Sequence, residues 1–497
     1  MEKVLYIVSL LSFNLMLSQE PKENLKGLDE EINKILYNYK AAGLSVAIVK
    51  NDKMIYSKGF GYRDYENKLP VTPNTLFGIG SNTKSFTSAL IGMLEDGKKI
   101  SVQDKPSQYI PYLTFSTDRM NNLITIEDLL EHTSGLGSVD GTYIFFPSVK
   151  RIDLMHKLSF LKENGEPKDS WRYSNFGYII LGTIAEQLNN KSWDELMKEK
   201  IFIPLNMYNS NTSIDEMIKQ KDFSYPYGMY QKNIEKVLFQ KPDNDKPGAA
   251  INSSATEMAN WIRLWLNYGT FENQVVLSKK YTKGAMSTKT VIDGAPPVTS
   301  DQKNFLLGYG YGWFTQILKG HYKVWHSGGV SGFSSAVLLF PAEKFGLVVL
   351  SNQHNSDIAS TIGNMVAIRM LGLDNNKPYS YEMEVNDILK PEKNISSSVN
   401  ENKKPTHDLE AYCGEYSNKE YGTFIISKEK DNLYITFPTF KFILVHQQYD
   451  LFSSKLTEEV PQQMNPDFDF NFKLDDKGNV NGVIMDIQGG TTFKKIK

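Results

Sequence analysis

The sequence predicts an α/β (α+β) protein: an antiparallel sheet flanked by helices, with a helical subdomain, followed by a small all-β domain of barrel type. Three observations carry this. Between Leu28 and Gly97 a helical stretch, a hairpin, a loop and a second helix follow one another, an order that suits helices packed on an antiparallel sheet. From about residue 323 the chain turns strand-rich and then enters an amphipathic run, Ile358 to Leu371. Beyond a polar break at about 375–406, short alternating apolar runs continue to the end of the chain, the pattern of a compact barrel.

Taken in order, Met1-Glu2-Lys3 precedes an apolar run, Val4 to Leu17, that is short for a membrane span and closes on the small Ser18 before Gln19-Glu20-Pro21. This is the pattern of a secretory signal peptide over residues 1–18, cleaved near Ser18. No cysteine follows it, which excludes a lipid anchor on a mature N-terminal Cys. No later stretch is long and apolar enough to span a bilayer, so the mature protein is expected to be soluble and exported, secreted or periplasmic. The 497 residues suggest two or three domains, and 40% hydrophobic residues allow a large core. The expected division is a main domain at 19–375, a linker at 376–405 and an all-β domain at 406–497. A formal net charge of −2 with no basic block argues against nucleic acid as a partner. The single cysteine, Cys413, rules out an internal disulfide and a cysteine metal cluster.

Leu28 to Tyr39 places Leu28, Ile32, Ile35 and Leu36 on one helical face. Leu44–Val49 and Met54–Phe60 are strand-like runs joined at Asn51-Asp52-Lys53, which predicts a hairpin. Ser85 to Asp96 has Phe86, Leu90 and Met93/Leu94 at helical spacing, with Gly97 as a stop. Capping boxes mark helix starts at Thr125–Asp128, Ser192–Glu195 and Ser254–Glu257. Val324–His326, Ser335–Phe340 and Gly346–Leu350 are the clearest late strands. In the tail the runs are Tyr421–Ile426, Leu433–Phe437, Phe442–Val445, Phe468–Phe472 and Val483–Asp486.

Chemistry-bearing residues are spread along this frame. Gly80-Ser81-Asn82-Thr83-Lys84 opens the helix, so Ser81 and Lys84 share a face with Cβ atoms roughly 5–6 Å apart. A hydroxyl and an amine held this way form a nucleophile and its activator. Tyr173 and Asn175 lie in Trp171-Arg172-Tyr173-Ser174-Asn175-Phe176-Gly177, a loop before the helical run Tyr178 to Gln187. His326-Ser327-Gly328-Gly329 ends a strand, where small residues admit a ligand close to the backbone. His132-Thr133-Ser134-Gly135-Leu136 ends a helix in a tight turn; taken alone, His132 reads as a C-terminal histidine meeting the helix dipole.

In this order and spacing the motifs resemble the serine β-lactamase and penicillin-binding-protein superfamily, and within it the class C β-lactamase-like branch, which includes esterases and D-amino-acid peptidases. The resemblance covers roughly residues 25–372. Pro247 to Ser254 is similar to the family's glycine-rich segment before a helix, and the all-β tail to accessory domains behind some members. The resemblance implies Ser81 as nucleophile, Lys84 as its partner lysine, Tyr173 as proton shuttle and Asn175 as a contact for the substrate amide. It implies substrate binding by His326, Ser327 and Gly328, and an oxyanion hole from the backbone N–H groups of Ser81 and Gly329. It implies no metal or cofactor and a small-molecule or peptide substrate. Position 326 departs from the Lys-Thr-Gly of many members, and a histidine there supplies a weaker, pH-dependent positive charge.

The chemistry stands on its own terms too. Attack by Ser81 on a carbonyl requires its Oγ to lose a proton. A free lysine titrates near ~10.4 and a free tyrosine near ~10. A base working near neutral pH therefore has to come down by about three pH units, roughly 4 kcal/mol. A helix N-terminus and desolvation favour a neutral amine, whereas a charged amine favours a phenolate, and both routes stay open. An α/β-hydrolase is disfavoured by the lack of Gly-x-Ser-x-Gly. A zinc hydrolase is disfavoured because no His-Glu-x-x-His occurs among seven scattered histidines. The expected function is an exported hydrolase acting through acyl-Ser81 on an ester, amide, D-amino-acid peptide or β-lactam. The alternative is a non-catalytic sensing or binding module on the same fold.

Overall fold

The computed structural model describes residues 24–137, 146, 151–161, 163–230, 232–239, 241, 245–296, 304–354, 356–373, 403–438, 440–457, 468–487 and 490–497. The expected signal peptide, and the expected linker up to residue 402, lie outside these residues. Among the described residues no helix is long and apolar enough to cross a membrane.

The larger unit is built on a nine-stranded sheet. Its strands are β1 (Gly43–Lys50), β2 (Lys53–Asp64), β3 (Leu69–Pro70), β4 (Thr290–Asp293), β5 (Asn304–Tyr309), β6 (Phe314–Leu318), β7 (His321–Val330), β8 (Phe333–Phe340) and β9 (Phe345–Ser351). The order across the sheet is β4-β5-β6-β7-β8-β9-β1-β2-β3, with antiparallel neighbours throughout. Asn51 and Asp52 turn the first hairpin with φ of 50° and 62°, the left-handed pair that matches strand twist in a two-residue loop. Pairing of β1 with β9, Leu44 opposite Ser351 and Lys50 opposite Phe345, joins the early and late parts of the chain.

Both sheet faces are covered, which is why β8 and β9 read as continuous apolar runs. Ala47, Val49, Val337, Leu339, Val348 and Leu350 belong to one core, shared with α2 (Thr83–Asp96), α4 (Asn175–Asn189) and α6 (Ala255–Leu266). Val46, Ile48, Ala336, Leu338, Leu347 and Val349 belong to a second core with α1 (Leu28–Asn38) and α7 (Ile358–Met370). The capping box of α3 (Ile126–Leu130) forms in full between Thr125 and Asp128. At Ser254 only half forms: Ser254 caps the Glu257 N–H, but the Glu257 carboxylate turns to the backbone N–H groups of Asn209 and Ser210.

The C-terminal unit is a closed barrel of eight strands between Gly414 and Lys495, closed by Tyr416 opposite Lys495. Phe424, Phe437, Phe442, Phe452, Phe470, Phe472 and Phe493 fill it. One ring comes from the other unit. Phe146, 3% exposed, packs 5.4 Å from Phe437 and 6.0 Å from Phe493, centroid to centroid. A side chain at Gly422 would meet the Phe146 ring at 2.8 Å. The Lys157 ammonium donates to the carbonyls of Phe146 (3.0 Å) and Tyr421 (2.8 Å), and burial pushes its pKa down to about 8.

Candidate active site

Ser81 lies in a short 3₁₀ turn, Gly80–Asn82, that leads into α2; the sequence placed it in the α-helix itself. Four contacts hold this turn on the sheet. Asn82 Nδ2 donates to Ser335 Oγ on β8 (2.7 Å), and that hydroxyl donates to the Ile79 carbonyl (2.7 Å). Gly80 has φ of 52°, and a Cβ there would lie 2.6 Å from the Gly329 nitrogen. A Cβ at Gly328 would lie 2.0 Å from the Ile79 oxygen. The small residues of β7 thus admit the turn carrying Ser81, where the sequence suggested room for a ligand. Open space is left beside the exposed Gly329, while Ser327 is partly buried. The two segments expected to furnish the oxyanion donors, at Ser81 and Gly329, are therefore in backbone contact.

Lys84 is fully buried on the first turn of α2. Its Nζ lies 3.3 Å from Ser81 Oγ, 2.5 Å from Asn175 Oδ1 and 3.0 Å from the Gly248 carbonyl. Gly248 belongs to α5 (Lys246–Ala249), within the glycine-rich stretch marked from sequence. Among the described residues Lys84 forms no ion pair with a carboxylate. A buried amine without a counter-ion costs stability unless its hydrogen bonds are met.

Asn175 opens α4 rather than preceding it. Tyr173, just before the Ser174 cap, is partly exposed, with its ring centroid 4.8 Å from Lys84 Nζ. Ser81, Lys84, Tyr173 and Asn175, read from two separate motifs, are therefore gathered at one place.

His326 is 1% exposed. Its Nδ1 lies 2.6 Å from the Ser327 carbonyl, which can only accept, so Nδ1 carries the proton. Its Nε2 lies 3.0 Å from Tyr309 Oη. Burial, with the nearby Lys84 charge, lowers its pKa to about 3 despite the Ser327 contact, so the imidazole is neutral and Tyr309 donates to Nε2. The pH-dependent charge expected from sequence is absent near neutrality because desolvation removes it.

Sequence reasoning missed part of the surroundings. Tyr178 donates to the Leu130 carbonyl (2.8 Å), and its ring lies 5.4 Å from Lys84 Nζ. Its three-residue spacing from Asn175 on one helix face was the available signal. Tyr309 sits on an edge-side strand with no motif around it. His132, set aside as a helix-end residue, is wholly buried against Tyr173, with ring centroids 4.4 Å apart.

A helix-flanked antiparallel sheet, with a serine and a lysine at a helix start facing a sheet strand, defines the serine hydrolase fold of β-lactamases and penicillin-binding proteins. The chain belongs to the Beta-lactamase family, whose model matches residues 25–365. Residues 399–497 match a domain of unknown function, DUF3471. Protein flp of Staphylococcus aureus (strain NCTC 8325 / PS 47) is 28% identical over 331 residues, 65% of this chain. Unguisins hydrolase ungD' of Aspergillus campestris (strain IBT 28561) is 30% identical over 346 residues, 67% of this chain. The chain spans 62% of the length of each of these relatives. Among solved structures, the octameric penicillin-binding protein homologue from Pyrococcus abyssi superposes with a TM-score of 0.62 at 22% identity, covering 95% of this chain and all of that one. A class C beta-lactamase superposes with a TM-score of 0.57 at 20% identity, covering 71% and 98%. These two likenesses concern the fold.

Proposed function

We propose that the protein is an exported serine hydrolase that transfers an acyl group through Ser81. The observation that carries this reading is Lys84, buried with no carboxylate partner among the described residues and hydrogen-bonded to both Ser81 Oγ and Asn175 Oδ1. Ser81 Oγ attacks the substrate carbonyl as its proton passes to the Lys84–Tyr173 pair, which acts as one coupled base. The backbone N–H groups of Ser81 and Gly329 stabilise the oxyanion; removing one such donor typically costs about 10²–10³ in rate. The leaving group departs with a proton from the pair, giving an acyl-Ser81 ester. Water, deprotonated by the same pair, then hydrolyses that ester and frees Ser81.

The substrate reading follows from His326. Its nitrogens are engaged by Ser327 and Tyr309, and it carries no charge near neutral pH. This strand position therefore offers no cation for a substrate carboxylate, which favours esters and amides that are neutral beside the acyl group. The test is a panel of p-nitrophenyl esters, D-alanyl peptides with free and methylated carboxyl termini, and a chromogenic β-lactam. Faster turnover of neutral than of carboxylate-bearing substrates supports the reading. Preferred turnover of the β-lactam or the free-acid peptide contradicts it.

A further inference from the structure

His132 takes no part in the chemistry above, yet it grips the backbone on both sides of Tyr173. Its carbonyl accepts the Arg172 N–H at 2.7 Å, and its Nδ1 accepts the Ser174 N–H at 3.1 Å. Its ring packs against Tyr173 at 4.4 Å, and Tyr309 and Tyr178 complete an aromatic cage at 4.8 Å and 5.3 Å.

Holding His132 here is costly. Its φ of 63° is left-handed, a conformation unfavourable for a side-chain-bearing residue. The residue is wholly buried, and burial, then the Lys84 charge and His326, hold its pKa well below the usual histidine value. A neutral ring that accepts at Nδ1 carries its proton on Nε2, and that buried Nε2 has no hydrogen-bond partner among the described residues. The ionisable groups around it are Lys84 on α2, Tyr173, Tyr178 on α4, Tyr309 on β5 and His326 on β7. A purely space-filling position would be served better by an apolar side chain, which leaves no orphaned polar atom.

We infer that His132 is a positioning residue for Tyr173, fixing the flanking backbone through its carbonyl and Nδ1 and bracing the phenol beside Lys84 with its ring. The inference rests on the reading that Tyr173 shares in proton transfer. Its core, the clamp on Ser174, can be measured without turnover.

The test compares His132→Ala and His132→Asn in the full chain. Asparagine offers Oδ1 as an acceptor near the place of Nδ1 and tolerates the left-handed backbone. Three quantities are read: hydrogen exchange at the Ser174 amide, kcat and KM on the best ester, and the pH–rate profile. In the Ala variant, Ser174 exchange rises and kcat falls about 10–100-fold with little change in KM, as expected when a reacting group is misplaced by about 1 Å. The same variant moves a limb of the pH profile. Asn restores all three to within a few-fold of wild type. Unchanged kcat and pH profile in a folded Ala variant overturn the inference, whether or not Ser174 exchange rises. If Ala does not fold, the Asn variant decides: near-native kcat with Ser174 protected supports the clamp, and a loss of 10-fold or more with the fold intact overturns it. A wild-type protein that turns over no substrate refutes the hydrolase reading instead, and Ser174 exchange then still tests the clamp.

Discussion

Tyr309 Oη and His326 Nε2 meet 3.0 Å apart in the protein interior, where burial and the Lys84 charge hold the imidazole neutral. Because His326 is held neutral down to about pH 3, it carries no positive charge between pH 5 and 8. The sign for stability follows. An unfolded histidine takes up a proton near pH ~6.5, whereas the folded one waits until about pH 3. This site's contribution is fully present above pH ~6.5 and is lost progressively as pH falls toward 3. His326→Asn is therefore expected to flatten the decline of thermal stability between pH 6 and 4, as scanning calorimetry would record. An unchanged decline would count against a buried neutral imidazole.

Glu131 gives the opposite slope. Burial, with the neighbouring Glu127 and Asp128 charges, raises its pKa to about 7 in spite of a hydrogen bond from Thr290. Below pH ~4.3 the carboxyl is protonated in both states. As pH rises through 7 the folded protein must ionise it at a cost, so its favourable contribution is lost. Glu131→Gln keeps an acceptor for Thr290 and removes the charge. It is expected to raise Tm at pH 8 and to leave Tm unchanged at pH 4.

Lys84→Met preserves the apolar stem and removes the amine shared by Ser81, Asn175 and Gly248. Loss of a positioned acid–base group typically costs 10²–10⁴ in rate. Ester hydrolysis is expected to fall by about that factor while circular dichroism shows an intact fold.

Phe146→Ala empties a position in the barrel core, for which Phe-to-Ala changes cost about 3–5 kcal/mol. All six tryptophans lie at or before Trp325, outside the barrel. Tryptophan fluorescence therefore follows the larger unit, while hydrogen exchange over 414–437 follows the barrel. The substitution is expected to accelerate barrel exchange strongly and to shift the fluorescence transition little.

Much of this architecture was legible in the sequence. Apolar runs and helical spacing located β1, β2, β8, β9, α1, α2 and α7 to within a few residues. The edge-side strands β4 to β6 were not legible. They are short, two of their pairings carry register shifts, and Gly308, Gly310 and Gly312 break up the apolar run around Tyr309. Ser81 with Lys84 and Tyr173 with Asn175 are local spacings, weak singly, and it was the order of the motifs and the family resemblance that singled them out as candidates. What surrounds them was not legible. The state of His326 depends on its burial and on the charge of Lys84, far away in sequence on α2. The place of His132 depends on Ser174, 42 residues away. Such pairings arise only when the chain is folded, and burial rather than residue type decides the charge.

Ser81 is proposed as the reacting nucleophile. Mass spectrometry of the intact protein after incubation with a fluorophosphonate, followed by peptide mapping, tests it most directly. A single adduct is expected on the peptide containing Ser81, and none in Ser81→Ala. A folded wild-type protein that stays unlabelled, or one labelled equally in Ser81→Ala, would contradict it.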